Sequence, residues 1–135
     1  MPVTISPDTH KTFLSSQAKE FRTTYRIKNS TARAAQTKQK DLIVEEFREF
    51  IEADGEMWRD SIEIKESVLK ELADLVYVCY QYADNMSWDL DEALDRVHKS
   101  NMSKLDEDGN PIYREDGKVL KGPKYAPPNL KDLIE

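Results

Sequence analysis

Two pairs of carboxylates at i, i+3 spacing, Glu46 with Glu49 and Glu71 with Asp74, are the side chains in this chain best suited to chemistry. Laid on a helical wheel at about 100° per residue, the first pair sits beside a buried arc formed by Leu42, Ile43, Phe50 and Ala53, widened by Phe47 and Ile51. Glu46 falls inside that arc and Glu49 on its border, whereas Glu45, Arg48 and Glu52 lie further out. Around the second pair, Leu69, Leu72, Leu75, Val76, Val78 and Cys79 cover most of the circumference, which predicts the most buried helix of the chain. Glu71 lies among Ile64, Leu75, Val78 and Tyr82, and Asp74 borders them near a polar strip with Lys70 and Gln81.

Burying an unpaired carboxylate costs several kcal/mol, and a domain stable by only about 5–15 kcal/mol cannot repeat that freely. The buried arcs contain no lysine or arginine to neutralise these groups. A hard divalent cation with oxygen ligands is the other solution, and Mg²⁺ or Mn²⁺ suits an all-carboxylate set. Against this stands the ordinary reading of an i, i+3 acidic pair as a solvated helix face. Spacing alone leaves both open.

Downstream, Leu90, Leu94 and Val97 form an apolar stripe that Asn101 and Lys104 continue at i+4 and i+7 from Val97. A lysine and an asparagine there could neutralise and orient a phosphate; equally, Lys104 could snorkel at a helix end and Asn101 serve its C-terminal cap. Trp58, in the polar loop between the two carboxylate-bearing segments, is the aromatic best placed to stack on a base, whereas Tyr77 and Tyr80 read as core residues. The run Asp106-Glu107-Asp108-Gly109-Asn110 resembles a calcium loop only superficially. Its glycine falls at position four rather than six, and position twelve is Gly117.

The elements that must carry these residues are helical. A first helix is expected after Ser6-Pro7-Asp8, with Phe13, Leu14, Ala18, Phe21 and Tyr25 on one face. Asn29-Ser30-Thr31 breaks the chain and offers an N-cap for a second helix over about 31–53, ending near Gly55. Asp60 with Glu63 predicts a capping box opening a third helix that reaches Met86. Ser87 is expected to cap a fourth, running to about Ser103. Short connections then imply an all-α, four-helix-bundle-like architecture in a single domain over 1–135, with its helical core at about 7–104. Beyond it, Asp116-Gly117 predicts a two-residue β-hairpin with Glu115 facing Lys118 and Tyr113 facing Leu120. Gly122-Pro123 and Pro127-Pro128 make the remaining tail extended.

Composition narrows the partners. With 135 residues and a net charge of -6, the chain is acidic, which disfavours a general nucleic-acid or anionic-membrane binder. A nucleotide remains compatible, because bound cations invert the local field. A lone Cys79 and two distant histidines, His10 and His98, argue against a disulfide and a Cys/His zinc site. The strongest apolar run, at about 72–80, is far shorter than a membrane span, and the opening residues do not read as a signal peptide. A soluble, cytoplasmic protein is the expectation.

At these residues the chain resembles the MazG-like branch of the all-α nucleoside triphosphate pyrophosphohydrolases, a superfamily that also includes dimeric dUTPases and phosphoribosyl-ATP pyrophosphohydrolases. The resemblance rests on Glu45-Glu46-Phe47-Arg48-Glu49, then 21 intervening residues, then Glu71-Leu72-Ala73-Asp74 and the apolar Leu75-Val76-Tyr77-Val78. The segment His98–Leu105 is similar to the family's substrate segment, and the tail Ile112–Pro123 looks like that of phage-type members. Where related chains often carry arginines before the double glutamate, this one carries Gln39 and Asp41.

The resemblance implies metal-dependent hydrolysis of (deoxy)nucleoside triphosphates to monophosphate and pyrophosphate by water attacking the α-phosphorus, with dGTP or GTP as the leading candidate. Glu46, Glu49, Glu71 and Asp74 would be metal ligands, with Glu49, or Glu46 beside it, acting on the attacking water. Asn101 and Lys104 would hold phosphate oxygens, Lys121 or Tyr125 would close from the tail, and Trp58 would meet the base. It also implies a homodimer or a homotetramer built as a dimer of dimers and, for a phage-encoded member, residence in host cytoplasm. Two other readings stay open: a stepwise nucleotide phosphatase of the same fold, and a non-catalytic helical interaction module. A third, weaker one is a bundle that uses metal only for stability.

Overall fold

The computed structural model describes residues 13–135. Its helices are α1 (Leu14–Thr24), α2 (Arg33–Asp54), α3 (Ile62–Asn85), α4 (Leu90–Met102) and a short α5 (Lys131–Ile134), with a 3-10 turn at Met57–Arg59. Among the described residues there is no sheet, only one antiparallel bridge between Tyr113 and Val119. The all-α expectation therefore holds. The start signal at Ser6-Pro7-Asp8 lies outside the described residues.

Two compact units divide the chain, Met1–Trp88 and Asp89–Glu135. In the first, α2 and α3 pack along each other and α1 packs on α3. The pairing of α2 with α3 is antiparallel. Gln36, near the start of α2, donates to the Tyr82 hydroxyl near the end of α3 at 2.8 Å, while Glu46 and Glu49 meet Glu71 further along.

Helix ends follow local hydrogen bonding, in two places one or two residues away from the expected cap. Asp60 adopts a left-handed conformation (φ 46°) that closes the 3-10 turn, and Ser61 caps α3 by accepting from the Ile64 amide at 3.2 Å. Ser87 is likewise left-handed (φ 61°), and Asp89 caps α4 by accepting from Glu92 N at 3.0 Å. Both corrections have one cause. A left-handed residue finishes the preceding turn, and the next extended residue with a side-chain oxygen takes the cap. Gly55 does terminate α2, with right-handed φ of -59°.

Apolar burial in the isolated chain is slight. Fully buried hydrophobic residues among those described are Ala18, Tyr80 and Ala83, and Leu69, Leu72 and Val76 of α3 remain exposed, as do Phe47 and Ile51 of α2. The expectation that α3 is the most buried helix holds among those described, since Tyr80, Gln81, Ala83, Asp84 and Asn85 are all buried, but this burial gathers at its C-terminal end, and α1 and α2 cover only part of its apolar girdle within one copy of the chain.

A buried polar cluster fills the far end of α3 instead. Arg22 and Asp84 are only 3% and 5% exposed. The Arg22 guanidinium donates to Asn29 Oδ1 at 2.7 Å, Asn85 Oδ1 at 3.1 Å and Gln81 Oε1 at 3.3 Å, and stands 3.6 Å from Asp84. Lys19 reaches Asp84 at 2.7 Å, and the Asn29 amide donates to the Asp84 backbone carbonyl and to its carboxylate. Asn85 and Ser30 exchange hydrogen bonds between amide side chain and backbone. The segment expected to cap α2 is therefore used to lock α1, the α1–α2 connection and α3 together. Gln81 is part of this core rather than of a polar strip.

In the second unit the chain leaves α4 and folds back on itself. The Asp116-Gly117 turn is a three-residue loop, not the expected two-residue hairpin. Arg114 exchanges backbone bonds with Gly117 and Lys118 at 2.8 Å, and Gly117 takes φ 88°. A type I turn closed by a left-handed glycine needs this extra residue, so the register shifts by one and Tyr113 faces Val119, not Leu120. Asp106 satisfies its own loop by accepting from Asp108 N and Asn110 N.

Candidate metal centre

Glu46 and Glu49 on α2 and Glu71 on α3 bring carboxylate oxygens within 4.8 Å of one another. The antiparallel pairing does this: each i, i+3 pair lies on the side of its helix that meets the other. Glu71 is the deeper member of its pair at 17% exposure, against 36% for Asp74. Oε2 of Glu46 and Oε2 of Glu71 are both buried without any hydrogen-bond partner. Glu49 also borders an open surface depression with Asp41, Glu45 and Arg48, so it faces the cluster and solvent together.

The electrostatics match this crowding. The Glu46 carboxyl is pushed up to about 7, first by burial, then by the adjoining Glu49 carboxyl and the charges of Asp74 and Glu71. The cation nearest the cluster is Lys70, on the exposed side of α3, which pairs with Asp74 at 2.7 Å and stands 3.6 Å from Glu71. Those two acids in turn raise its pKa, Asp74 most. Glu46 gains no counterion from any described ion pair.

An all-oxygen, net-negative cluster with two orphaned buried oxygens fits a hard divalent cation. The fit is to the residues present. Asp74 stands outside the tightest group of three but close enough to weigh on Glu46.

The remaining sequence candidates are dispersed. Trp58 sits in the 3-10 turn between α2 and α3, 75% exposed, with the Arg59 guanidinium 5.2 Å from its ring centroid. The second unit holds Asn101, Lys104, Lys121 and Tyr125. Asn101 is exposed on the last turn of α4, and Lys104 follows the helix end, so the helical stripe does not extend to it. Lys121 and Tyr125 meet each other, the ammonium lying 4.7 Å from the ring centroid. The Arg22–Asp84 cluster escaped the sequence reading. Its one signal was Asp84-Asn85, a polar pair one turn beyond the apolar run at about 72–80.

Among the described residues, no helix is long and apolar enough to cross a membrane. No curated protein matches the chain. The family model described as phosphoribosyl-ATP pyrophosphohydrolase does match, over residues 7–101, a stretch that contains all four carboxylates and stops before the tail. The chain therefore belongs to the phosphoribosyl-ATP pyrophosphohydrolase family, within the all-α MazG-like superfamily whose members hydrolyse nucleotide phosphoanhydrides.

Proposed function

We propose that the chain hydrolyses nucleoside triphosphates to monophosphate and pyrophosphate with Mg²⁺ or Mn²⁺ held by Glu46, Glu49, Glu71 and Asp74. The observation that carries this reading is the pair of buried, partnerless oxygens of Glu46 and Glu71 inside an acidic cluster that has no buried cation among the described residues. The chemistry a bound divalent ion supplies there is polarisation of the phosphoanhydride and acidification of nearby water.

The chain's own groups do the rest. Glu49, open to solvent on one side and to the cluster on the other, orients the attacking water and takes its proton. Glu46 shares that role through the carboxyl contact that raises its own pKa. Asn101 and Lys104 are assigned to phosphate oxygens, Lys121 and Tyr125 to the same end of the substrate, and Trp58 to stacking on the base. dGTP or GTP is the leading substrate, in a phage-type enzyme working in the cytoplasm.

A second copy of the chain covers the apolar faces of α2 and α3, giving a homodimer or a dimer of dimers. The support is the exposure of Phe47, Ile51, Leu69, Leu72 and Val76 and the apolar groove where Leu14 and Ala18 of α1 meet Val76 and Tyr77 of α3. Surfaces of that kind on one small protein mark association.

The test is a panel of the eight common triphosphates, with phosphoribosyl-ATP, the compound in the family's description, as a ninth. Product chromatography in Mg²⁺ should show pyrophosphate and a monophosphate from at least one of them, lost in Glu49→Ala and Asp74→Ala while helicity persists. Release of single phosphates would assign stepwise cleavage instead. No turnover of any member would sink the enzymatic reading.

A further inference from the structure

The helical spacing that sets Phe21 and Tyr25 on one face of α1 also brings Phe21 against Tyr77 of α3. The Phe21 ring centroid lies 4.7 Å from that of Tyr25 and 5.5 Å from that of Tyr77, edge-on to the latter at 87°. Packing of this kind holds rings in fixed orientations. The cluster is nevertheless open, with Tyr25 66% and Tyr77 39% exposed. Together with Gln17, Glu20 and Thr24, the three rings line a depression of about 530 Å³, the size of a small-molecule site. It shares no residue with the carboxylate cluster. Gln17 and Tyr77 also line the apolar groove of Leu14 and Val76, but Glu20, Thr24 and Tyr25 do not, so the depression lies toward the C-terminal end of α1.

Its charge is one-sided. None of the six lining residues is basic. The basic residues that flank Glu20 on α1 are committed elsewhere, Lys19 and Arg22 both turning to Asp84. Glu20 itself enters no ion pair among the described residues. Its carboxylate bears on the Tyr77 hydroxyl, which is held above the ordinary phenol range first by burial and then by Glu20 and Tyr25 beside it. An anion placed here would meet Glu20 with no countercharge. A weakly hydrated organic cation satisfies both features at once: the negative faces of the rings attract it, and the carboxylate balances it.

We propose that this aromatic, acidic depression binds a small organic cation of the quaternary-ammonium class, with Glu20 as its countercharge and the Phe21, Tyr25 and Tyr77 rings as its walls. The site stands independently of the enzymatic reading.

The test is an NMR titration of the full chain with choline, set against the neutral alcohol in which carbon replaces the ammonium nitrogen. The choline methyl signal should move upfield and saturate, with matching shifts in the ring signals of Tyr25 and Tyr77. The neutral alcohol should bind about tenfold more weakly, since it loses both the ring and the carboxylate attraction. Tyr25→Leu should weaken choline binding about fivefold and Glu20→Gln about threefold, the sizes of a solvent-accessible cation–π contact and ion pair. Both side chains are exposed, so the fold should survive either change, which a thermal melt checks. Glu71→Gln should bind choline as the parent does. A loss there would move the cation to the carboxylate cluster and overturn the proposal. Equal binding of choline and the neutral alcohol, or no saturable shift in the parent chain, would overturn it as well. The expected pattern in a chain that turns over no nucleotide would uphold this site and sink the enzymatic reading alone.

Discussion

Two sets of buried acids lie on α3, and they are treated in opposite ways. At the C-terminal end, Asp84 is met by Lys19, Arg22 and Asn29, so its charge is compensated within the fold. Nearer the middle, Glu71 meets Glu46 and Glu49 of α2, and among the described residues the help comes only from the exposed Lys70. The first arrangement lowers the free energy of the folded chain by itself. The second raises it unless something else arrives. A buried carboxylate is therefore informative by its company: complete partners mark architecture, and missing partners mark a site.

The contrast is broken most severely by Glu71→Gln. Loss of one ligand charge should reduce pyrophosphate release by about a thousandfold, roughly 4 kcal/mol of transition-state stabilisation. The metal-free protein should meanwhile melt no lower than the parent, since one member of a repelling set is gone. Pre-steady-state product assays and a thermal melt in chelator check the two halves. A variant that melts far below the parent would place Glu71 with the architectural acids.

Asp84→Ala should do the reverse. It strands the Arg22 guanidinium, whose pKa burial already lowers against the raising effect of Asp84. Breaking such a pair costs about 3–5 kcal/mol, whereas replacing both partners with apolar residues costs less. Urea denaturation of Asp84→Ala, Arg22→Met and Asp84→Leu with Arg22→Met together should show strong coupling, with the folded fraction keeping its activity per molecule. Equal and additive losses would mean that the cluster is not a closed unit.

The pH dependence follows from Glu46, whose carboxyl is pushed up to about 7 from an ordinary 4.5. The folded state holds this proton more tightly than the unfolded state does. The corresponding stability is present below pH 4.5 and disappears as pH rises through about 7. In chelator, the melting temperature should therefore fall between pH 6 and 8. The increment contributed by Mg²⁺ should grow over the same interval, because metal displaces that proton. Melts across pH with and without Mg²⁺ measure both; a flat increment would remove the metal from Glu46.

How much of this was legible in the sequence depends on range. The inner position of Glu71 and the rim position of Asp74 follow from helical periodicity, and their side chains are 17% and 36% exposed in the fold. The helices themselves are placed within a few residues by apolar spacing and the break at Asn29-Ser30. What periodicity could not reveal were contacts made across the fold. Arg22 and Asp84 are 62 positions apart, and Asn29 reads as a local cap until Asp84 is seen beside it. Gly122 is one of four glycines and carries no local signal, since what requires it is the Leu105 carbonyl oxygen, 1.9 Å from where a Cβ would lie. The hairpin register failed for a subtler reason. Asp-Gly fits both a two-residue and a three-residue loop, and only the Arg114–Lys118 bonding decides.

The smallest effect belongs to Lys70, which stands between the two kinds of region. It is 65% exposed and reaches Asp74 at 2.7 Å from one turn away, so it is a partial partner for an otherwise uncompensated set. In the metal-free chain it relieves repulsion; against an incoming cation it competes for the same carboxylate. Lys70→Met should accordingly tighten Mg²⁺ binding about two- to fivefold at low salt, the size of an exposed ion pair, with the gain fading as ionic strength rises. The same change should slightly lower the melting temperature in chelator. Calorimetric titration of Mg²⁺ at two salt concentrations resolves it. Weaker binding in Lys70→Met would reverse the assignment, making Lys70 a residue that holds Asp74 in place for the metal rather than one that yields to it.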